Sequence, residues 1–316
     1  MTQVVFLVLP QAELLDFAGP AQAFSEANDL GGGFTLRYAG LQSEATSAQG
    51  LRLHQLEPIE SIVLNPDDLL FVPGLRRPGY HEENLAQLGQ AFFAWLGAVH
   101  QSGAQICSVC TGAFVLGYAG LLNGRFCTTH WQCTTQLQED YPQAKVLADR
   151  LFVEDSGIYS SAGIASGIDL ALAILEARLG PLFTAKVARS LVVYIRRDGA
   201  HPQQSIYLAY RSHLSPVVHE VQDWLIAHPS EPYTLEKLAD RLHLSSRHLT
   251  RLFKQATGIT IATYATLVKI EHAQTLLKNP NLTIEAVAQQ CGFKDARQLR
   301  RLWQKHFGYS PSQQIQ

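Results

Sequence analysis

The stretch QICSVCTGAF, residues 105–114, joins an apolar segment of strand length to the start of an apolar segment of helical length. Residues 104–109 (AQICSV) are typical of a buried strand, whereas residues 111–122 (TGAFVLGYAGLL) are long enough for a helix. Cys110 stands on the turn between them. Because a strand that passes directly into a helix is the unit of folds in which helices cover a parallel sheet, the stretch predicts such a fold.

Strand-like and helix-like segments alternate in the same way through roughly the first 180 residues. Predicted strands lie at residues 4–9, 68–74, 104–109 and 156–163. Predicted helices lie at residues 14–29, 83–103, 111–122 and 164–180. This order predicts an α/β domain with a doubly wound, mainly parallel sheet, to which we assign residues 1–195.

Length and composition bound the class of protein. A chain of 316 residues is longer than one hydrophobic core usually requires, so we expect two or more domains. The N-terminus lacks the basic start of a signal peptide, and no apolar run approaches the roughly 18 residues of a membrane span. Five cysteines, an odd number, fit a reducing compartment. We therefore expect a cytoplasmic protein with no membrane partner.

Charge is divided unevenly along the chain. Residues 1–214 carry 13 Lys and Arg against 19 Asp and Glu, whereas residues 215–316 carry 12 against 8. The polar, aperiodic residues 196–215 are typical of a linker, and residues 216–316 have a helical pattern throughout. A basic C-terminal domain that follows an acidic one indicates a polyanionic partner.

An internal repeat organises the C-terminal domain. TLEKLADRLHLSSRHLTRLFKQATG (234–258) recurs as TIEAVAQQCGFKDARQLRRLWQKHFG (283–308), which is one residue longer. Each copy predicts a short helix, a tight turn and a second helix, and Ala239 or Ala288 allows the two helices to approach closely. Two helix-turn-helix units predict binding to double-stranded DNA, with each second helix in a major groove. Residues 261–277 predict a helix that couples the two units.

The outer faces of the two predicted recognition helices are basic. The outward residues are Arg247, Thr250, Arg251 and Lys254 in the first copy, and Arg297, Gln298, Arg301 and Lys305 in the second. Arginine side chains on such a face can bind guanine edges, and lysine side chains can bind phosphates. An alternative interpretation of a single copy, a helical bundle with a solvated basic face, is disfavoured by the duplication.

The C-terminal domain resembles the AraC/XylS-type DNA-binding domain. The resemblance rests on the pattern Leu249-x-Arg251-x-Phe253, on GF at 292–293 and on the closing FGYSP at 307–311. Leu299 stands where that family usually has phenylalanine. By this resemblance the residues that contact DNA are Arg247, Thr250, Arg251, Arg297, Gln298 and Arg301.

The cysteines of the α/β domain admit several interpretations. Cys107-x-x-Cys110 has the spacing of a redox pair, but Cys107 lies within a predicted apolar strand instead of at an exposed helix start. Cys127, His130 and Cys133 would add soft ligands for zinc, but the first pair straddles a strand and a buried helix start. We therefore expect no metal and no cofactor. Cys107, Cys127 and Cys133 are then ordinary buried side chains.

A cysteine on a strand-to-helix elbow can also be a nucleophile, because the backbone amides that follow it lower the pKa of its thiol. Around Cys110 the sequence resembles the PfpI-like branch of the class I glutamine amidotransferase-like superfamily. By that resemblance the residues of its pocket are Asp16, Gly74, Cys110, Thr111 and His130. Asp16 and the Cys-Thr-Gly order look most like the isocyanide hydratase branch, which implies an alternative function as a cysteine-dependent hydratase or amidase that uses Cys110, Asp16 and His130. His130 could instead satisfy a hydrogen bond in the core.

The combination of both domains resembles the GlxA-type transcriptional regulators, in which the amidotransferase-like domain generally senses a small nitrogen-containing metabolite and does not transform it. The resemblance implies a sequence-specific DNA-binding regulator that is not an enzyme. It further implies a small-molecule effector and a homodimer formed by the N-terminal domain. The same amides, thiol and carboxylate that would stabilise a transition state can hold a polar ligand.

Overall fold

The computed structural model describes residues 1–163, 165–193, 197–199, 203, 206, 210–277, 279, 281–307 and 309–311. The chain forms two compact units, residues 1–203 and residues 204–316. Within the described ranges, no helix combines the length and apolar character that crossing a bilayer requires.

The first unit contains both strands and helices. Its strands are β1 (Thr2–Leu7), β2 (Phe34–Gly40), β3 (Glu44–Thr46), β4 (Arg52–His54), β5 (Glu57–Pro58), β6 (Leu69–Val72), β7 (Gln105–Val109), β8 (Phe126–Cys127), β9 (Lys145–Val146), β10 (Phe152–Asp155) and β11 (Ile158–Ser161). Its α-helices are α1 (Leu14–Asp29), α2 (Glu82–Leu85), α3 (Gln90–Gln101), α4 (Gly112–Tyr118), α5 (Thr134–Asp140), α6 (Ser166–Leu179) and α7 (Pro181–Ser190).

Seven of these strands form one sheet in the order β10-β11-β7-β6-β1-β2-β5. Every neighbouring pair is parallel except β10 and β11, and Phe6 of β1 lies opposite Phe71 of β6, which in turn lies opposite Cys107 of β7. The prediction of a doubly wound, mainly parallel α/β fold is thus confirmed. The strand order reverses at β1, because β2 lies on one side of it and β6 on the other.

Both faces of the sheet are buried, which explains the uninterrupted apolar run of β1. Val5 and Leu7 point into one core, which α3, α4 and α5 cover, whereas Val4 and Phe6 point into the other, which α1, α6 and α7 cover. Successive residues of a strand face opposite sides, so a strand covered on both sides has to be apolar at every position.

Two helical predictions need correction. The single helix predicted for residues 83–103 is wrong, because Gly89 adopts φ +90° and separates α2 with its short 3₁₀ extension from α3. The helix predicted for residues 164–180 is not the last of this unit, since Gly180 (φ +83°) ends α6 and Pro181 begins α7. Residue 164 itself lies outside the described residues.

The predicted linker, residues 196–215, contacts the α/β unit through its first described residues. Part of this range lies outside the described residues. Arg197 forms an ion pair with the buried carboxylate of Asp169 (Nη2 to Oδ2, 2.6 Å). The carbonyl of Gly199 accepts a hydrogen bond from the Leu151 N–H at 3.1 Å. These described residues therefore pack on the first unit.

The second unit is helical in its described residues, with paired short and long helices. Its helices are α8 (Pro216–Ala227), α9 (Leu235–Arg241), α10 (Ser246–Thr257), α11 (Ile261–Leu276), α12 (Ile284–Gln290) and α13 (Ala296–Phe307). The α9–α10 and α12–α13 pairs are the two predicted copies of the repeat.

The turns of the two copies share one hydrogen-bond pattern. In the first, the Leu244 N–H donates to the Ala239 carbonyl at 2.9 Å, and in the second the Phe293 N–H donates to the Ala288 carbonyl at 2.9 Å. This six-residue closure requires a left-handed residue just before the donor. His243 (φ +55°) supplies it in the first copy and the glycine at 292 (φ +69°) in the second.

Helix α11 contributes to the cores of both copies. Ile261 and Val268 belong to the core around α10, whereas Ala273 and Leu277, which directly follows the helix, belong to the core around α13. One continuous helix therefore couples the two units, as the spacing of its apolar residues predicts.

The second turn is also held from outside its own copy. Lys269 of α11 donates its Nζ hydrogen bond to the Gly292 carbonyl at 2.7 Å. A Cβ atom at Gly292 would lie 2.6 Å from the Ser230 carbonyl oxygen, in the loop between α8 and α9. The second turn thus lies between α11 and the loop that precedes α9, where a residue without a side chain fits.

We expect Gly292→Ala to destabilise the α12–α13 copy by more than Gly258→Ala destabilises α10. Both glycines have positive φ, where alanine costs about 1–2 kcal/mol, but only the Cβ at position 292 meets other atoms within 4 Å. Hydrogen exchange of peptides from residues 284–307 and 246–257 measures each effect. Equal protection losses in the two variants would contradict the role of the Ser230 contact.

Candidate functional site

Cys110 connects β7 to α4 in a left-handed backbone conformation, with φ of +57°. Its N–H donates to the Ser161 carbonyl at 3.0 Å, and its own carbonyl accepts the Thr129 hydroxyl at 2.8 Å. A non-glycine residue in this region costs about 1–2 kcal/mol, so neighbouring contacts have to maintain it. The structure thus has the strained elbow that the sequence predicts at this position.

Three of the other predicted site residues meet Cys110. Asp16 is fully buried, and its Oδ2 accepts a hydrogen bond from the Gly74 N–H at 3.0 Å. A Cβ atom at Gly74 would lie 2.4 Å from this oxygen, 2.8 Å from Thr111 Oγ1 and 2.9 Å from the Cys110 Cβ. We call Asp16, Gly74, Cys110 and Thr111 the elbow cluster. Position 74 has to be glycine because the cluster leaves no room for a side chain.

Thr111 fastens the elbow to the end of β6. Its hydroxyl donates to the Leu75 carbonyl at 2.8 Å and accepts from the Leu75 N–H at 2.9 Å. The hydroxyl hydrogen is therefore already used within the protein, and any ligand at Thr111 would meet only a remaining lone pair.

Gly163 is a member of this site that the sequence analysis missed. It follows β11 with φ +115°, and a Cβ atom there would lie 2.6 Å from the Cys110 Sγ. The signal was the glycine that ends the predicted strand 156–163, in the position where the next parallel strand ends at the same edge of the sheet. Glycines at 74 and 163 thus flank the thiol from both neighbouring strands.

The prediction of a lowered thiol pKa at the elbow is wrong. Burial raises the pKa of Cys110, and the negative charge of Asp16 raises it further, while the Thr111 backbone N–H acts in the opposite direction with a smaller effect. Only 7% of Cys110 is exposed. The amide at the helix start is present, but removal from water and a buried like charge outweigh it.

Tyr80 and Cys133 extend the surroundings of the thiol. The Tyr80 hydroxyl lies 3.7 Å from the Cys133 Sγ. Burial raises the pKa of Tyr80 to about 12, with smaller contributions from Cys133 and Cys110, whereas the nearby guanidinium of Arg77 lowers it. The Tyr80 hydroxyl is therefore uncharged at neutral pH.

The described contacts of His130 are with residues outside the elbow cluster. Its Nδ1 accepts from the Gln132 N–H at 3.4 Å, and its ring packs against Trp131. Burial lowers the pKa of His130, which favours the neutral imidazole. The preceding residue, Thr129, is the one whose hydroxyl binds the Cys110 carbonyl.

All five cysteines are free thiols, and all are buried. Cys107 lies on β7 with no exposed surface, as its apolar context predicts. Among the described residues, no three His, Cys, Asp or Glu side chains are grouped so that they could hold a metal ion.

The recognition helices of the second unit display four of the six predicted DNA-contacting residues as exposed side chains. These four are Arg247, Arg251, Arg297 and Arg301. Thr250 is half-buried and donates its hydroxyl to the Ser246 carbonyl at 2.8 Å. The Oε1 of Gln298 accepts from the Lys294 N–H at 2.7 Å, and the Asp295 carboxylate accepts from the Gln298 N–H. Gln298 therefore belongs to the cap of α13, a role that the sequence analysis did not assign.

Comparison with known proteins agrees with the two units. A model described as a helix-turn-helix domain matches residues 238–316. The chain thus has the architecture of a DNA-binding transcriptional regulator that carries an α/β domain at its N-terminus. The DJ-1/PfpI family model matches residues 2–177, more than half of the chain, and the chain belongs to that family.

Curated relatives and solved structures share this architecture or part of it. The HTH-type transcriptional regulator CdhR of Pseudomonas aeruginosa is 29% identical over 98% of this chain and 90% of its own length. The isonitrile hydratase of Pseudomonas putida is 32% identical over 56% of this chain and 72% of its own. The crystal structure of an AraC family transcriptional regulator from Pseudomonas putida shares the fold at a TM-score of 0.52 and 24% identity, covering 60% of this chain and 100% of that one.

We expect Asp16→Asn to increase the reactivity of Cys110 toward iodoacetamide at a given pH. The thiolate is the reactive form, and replacing the carboxylate removes a charge that raises the pKa of the thiol. The asparagine oxygen can still accept from the Gly74 N–H. Wild-type Cys110 should react slowly at pH 7 and faster as the pH rises.

Mass spectrometry of the alkylated peptides locates each modified cysteine. Cys127 and Cys291 are internal controls, because burial raises the pKa of both and Asp16 is not among the causes. An unchanged or slower reaction at Cys110 in Asp16→Asn, with the controls constant, would show that the carboxylate does not hold the thiol neutral.

Proposed function

We propose that this protein is a cytoplasmic, sequence-specific transcriptional regulator whose α/β unit binds a small effector and whose helical unit binds promoter DNA as part of a homodimer. The observation that carries the proposal is the duplicated helix-turn-helix, with exposed Arg251 and Arg301 at matching positions of α10 and α13. Arginine side chains on a recognition helix suit both base edges and phosphates. The full-length similarity to a relative named as a transcriptional regulator supports the same function.

The α/β unit is proposed to sense a ligand instead of transforming one. A nucleophilic cysteine needs its thiolate, and the pKa of Cys110 is raised by burial and by Asp16. A neutral thiol, a buried carboxylate and backbone amides are nonetheless suitable partners for a polar molecule. We assign the effector to the vicinity of Asp16, Gly74, Cys110 and Thr111, with His130 as a further candidate, and we expect a nitrogen-containing metabolite.

The alternative function, hydration of an isocyanide or a related reaction at Cys110, has one observation in its favour. The relative named isonitrile hydratase is 32% identical over 178 residues. That reaction would use Cys110 as the nucleophile, Asp16 as the acid or base and His130 as a further candidate. Turnover by the purified protein decides between the two functions.

We expect Arg251→Gln and Arg301→Gln each to weaken specific DNA binding by about 1–3 kcal/mol, because each removes a contact to base edges. Arg241→Gln is the matched control, since it removes the same charge from α9, where Arg241 pairs with Glu220 at 3.6 Å. Fluorescence anisotropy with a duplex selected from random DNA, at several salt concentrations, measures the affinities.

Equal losses in all three variants would mean that only total charge matters and that the helices do not read sequence. Wild-type protein that selects no duplex and binds DNA without a salt dependence would refute the proposed function itself.

We also expect wild-type protein to hydrate cyclohexyl isocyanide no faster than the Cys110→Ala variant, since the thiol is neutral at pH 7. Formation of the formamide product, followed by chromatography, is the measurement. The variant should still bind the selected duplex, which shows that it is folded. A wild-type rate well above that of Cys110→Ala would establish the enzymatic alternative.

A further inference from the structure

A cavity of about 480 Å³ lies at the carboxyl edge of the central strands. Val8 follows β1, Leu41 follows β2 and Leu75 follows β6, and all three line the cavity. These strands surround the point where the strand order reverses. In doubly wound folds, the loops on either side of such a reversal separate and leave a crevice in which ligands bind. The cavity also has the volume of a small-molecule site.

The cavity adjoins the elbow cluster through one residue. Leu75 lines the cavity, and its backbone N–H and carbonyl both bind the hydroxyl of Thr111. A molecule in the cavity would therefore contact Leu75, the residue to which Thr111 fastens the elbow. The elbow cluster itself offers little room, since Asp16 is fully buried and Cys110 is 7% exposed.

Two neighbouring arginines line the cavity, and they differ in whether their guanidinium groups have partners within the protein. Arg76 donates to the Ala48 carbonyl at 2.8 Å and lies 3.9 Å from the Glu13 carboxylate. Arg77, by contrast, has no hydrogen-bond or ion-pair partner among the described residues, and its side chain is exposed. Glu44, which also lines the cavity, is paired with His54 at 3.0 Å. Of the two arginines, the one whose guanidinium is left for a ligand is therefore Arg77.

The rest of the lining determines what kind of anion would fit. Val8, Leu41, Leu75 and Leu88 provide apolar surface. A guanidinium binds a carboxylate through two parallel hydrogen bonds, and apolar side chains favour a hydrocarbon body. We propose that the effector is a small carboxylate that binds in this cavity, with its carboxylate on Arg77 and its apolar part on the leucines. This inference rests on the proposed function, moves the effector from the elbow cluster to the adjoining cavity, and makes a carboxylate group, with or without nitrogen elsewhere in the molecule, the feature that is recognised.

The test uses the full chain and 3-phenylpropanoate as a probe, with 3-phenylpropanamide and inorganic phosphate as comparisons. Isothermal titration and thermal unfolding measure binding, because a ligand that binds the folded state raises the unfolding temperature. We expect the carboxylate to bind and the amide and phosphate to bind at least about tenfold more weakly, since a charge-assisted pair is lost or the apolar contact is absent.

Arg77→Gln should weaken binding of 3-phenylpropanoate by about tenfold or more, the loss typical of a hydrogen bond to a charged group. Arg189→Gln is the matched control, because Arg189 is exposed on α7 and does not line the cavity. Leu41→Trp should abolish binding by filling the cavity while the charge of Arg77 is retained. Both cavity variants should still bind the selected DNA duplex.

Equal affinity for the acid and the amide, tighter binding of inorganic phosphate, or unchanged affinity in Arg77→Gln or Leu41→Trp would each overturn the inference. Those results would leave the proposed function standing as long as the protein binds its DNA. Conversely, a protein that binds 3-phenylpropanoate through Arg77 but selects no DNA would retain the cavity site and refute the proposed function.

Discussion

The left-handed backbone of Cys110 is maintained by contacts from three directions at the carboxyl edge of the sheet. Ser161 and Thr129 hold its N–H and its carbonyl, and the glycines at 74 and 163 give the thiol the space it occupies. These contacts connect the ends of β6, β7 and β11. Since they also remove the thiol from water, the elbow and the raised pKa of Cys110 have a common origin. A more exposed thiol would require a different arrangement of the same three strand ends.

The helical unit also depends on a left-handed backbone residue, once in each copy of the helix-turn-helix. Each turn closes on the carbonyl of a buried alanine and passes through a left-handed residue, which is His243 in one copy and Gly292 in the other. The copies differ because Gly292 lies against the Ser230 carbonyl, where a side chain would collide, whereas a histidine fits at the equivalent position of the first copy. Helix α11 then carries apolar residues into both cores, so the recognition helices share one support.

Periodicity and local motifs were sufficient to predict the fold class, the elbow and the duplicated helix-turn-helix. An unbroken apolar run such as residues 4–9 indicates a strand that is buried on both faces of a sheet, and this pattern is visible in the sequence itself. The break at Gly89 was missed because a glycine within a helical pattern can continue the helix or end it, and only the packing of α2 and α3 decides. The pKa of Cys110 could not be predicted, since the sequence indicates the amide at the elbow but not the depth of burial. Gln298 is a comparable case, because its carbonyl oxygen is used by the Lys294 N–H at the start of α13.

The charges near the thiol bear on what the α/β unit can do with a ligand. A cysteine nucleophile is normally activated by a cation, but the charged side chains that shift the pKa of Cys110, Asp16 and Glu13, are both negative. A carboxylate bound at Arg77 would add another negative charge and would offset the guanidinium that lowers the pKa of Tyr80. Occupancy of the cavity would thus favour the neutral form of Tyr80 further. A ligand bound there can shift an equilibrium between two arrangements of a regulator in proportion to its difference in affinity for them.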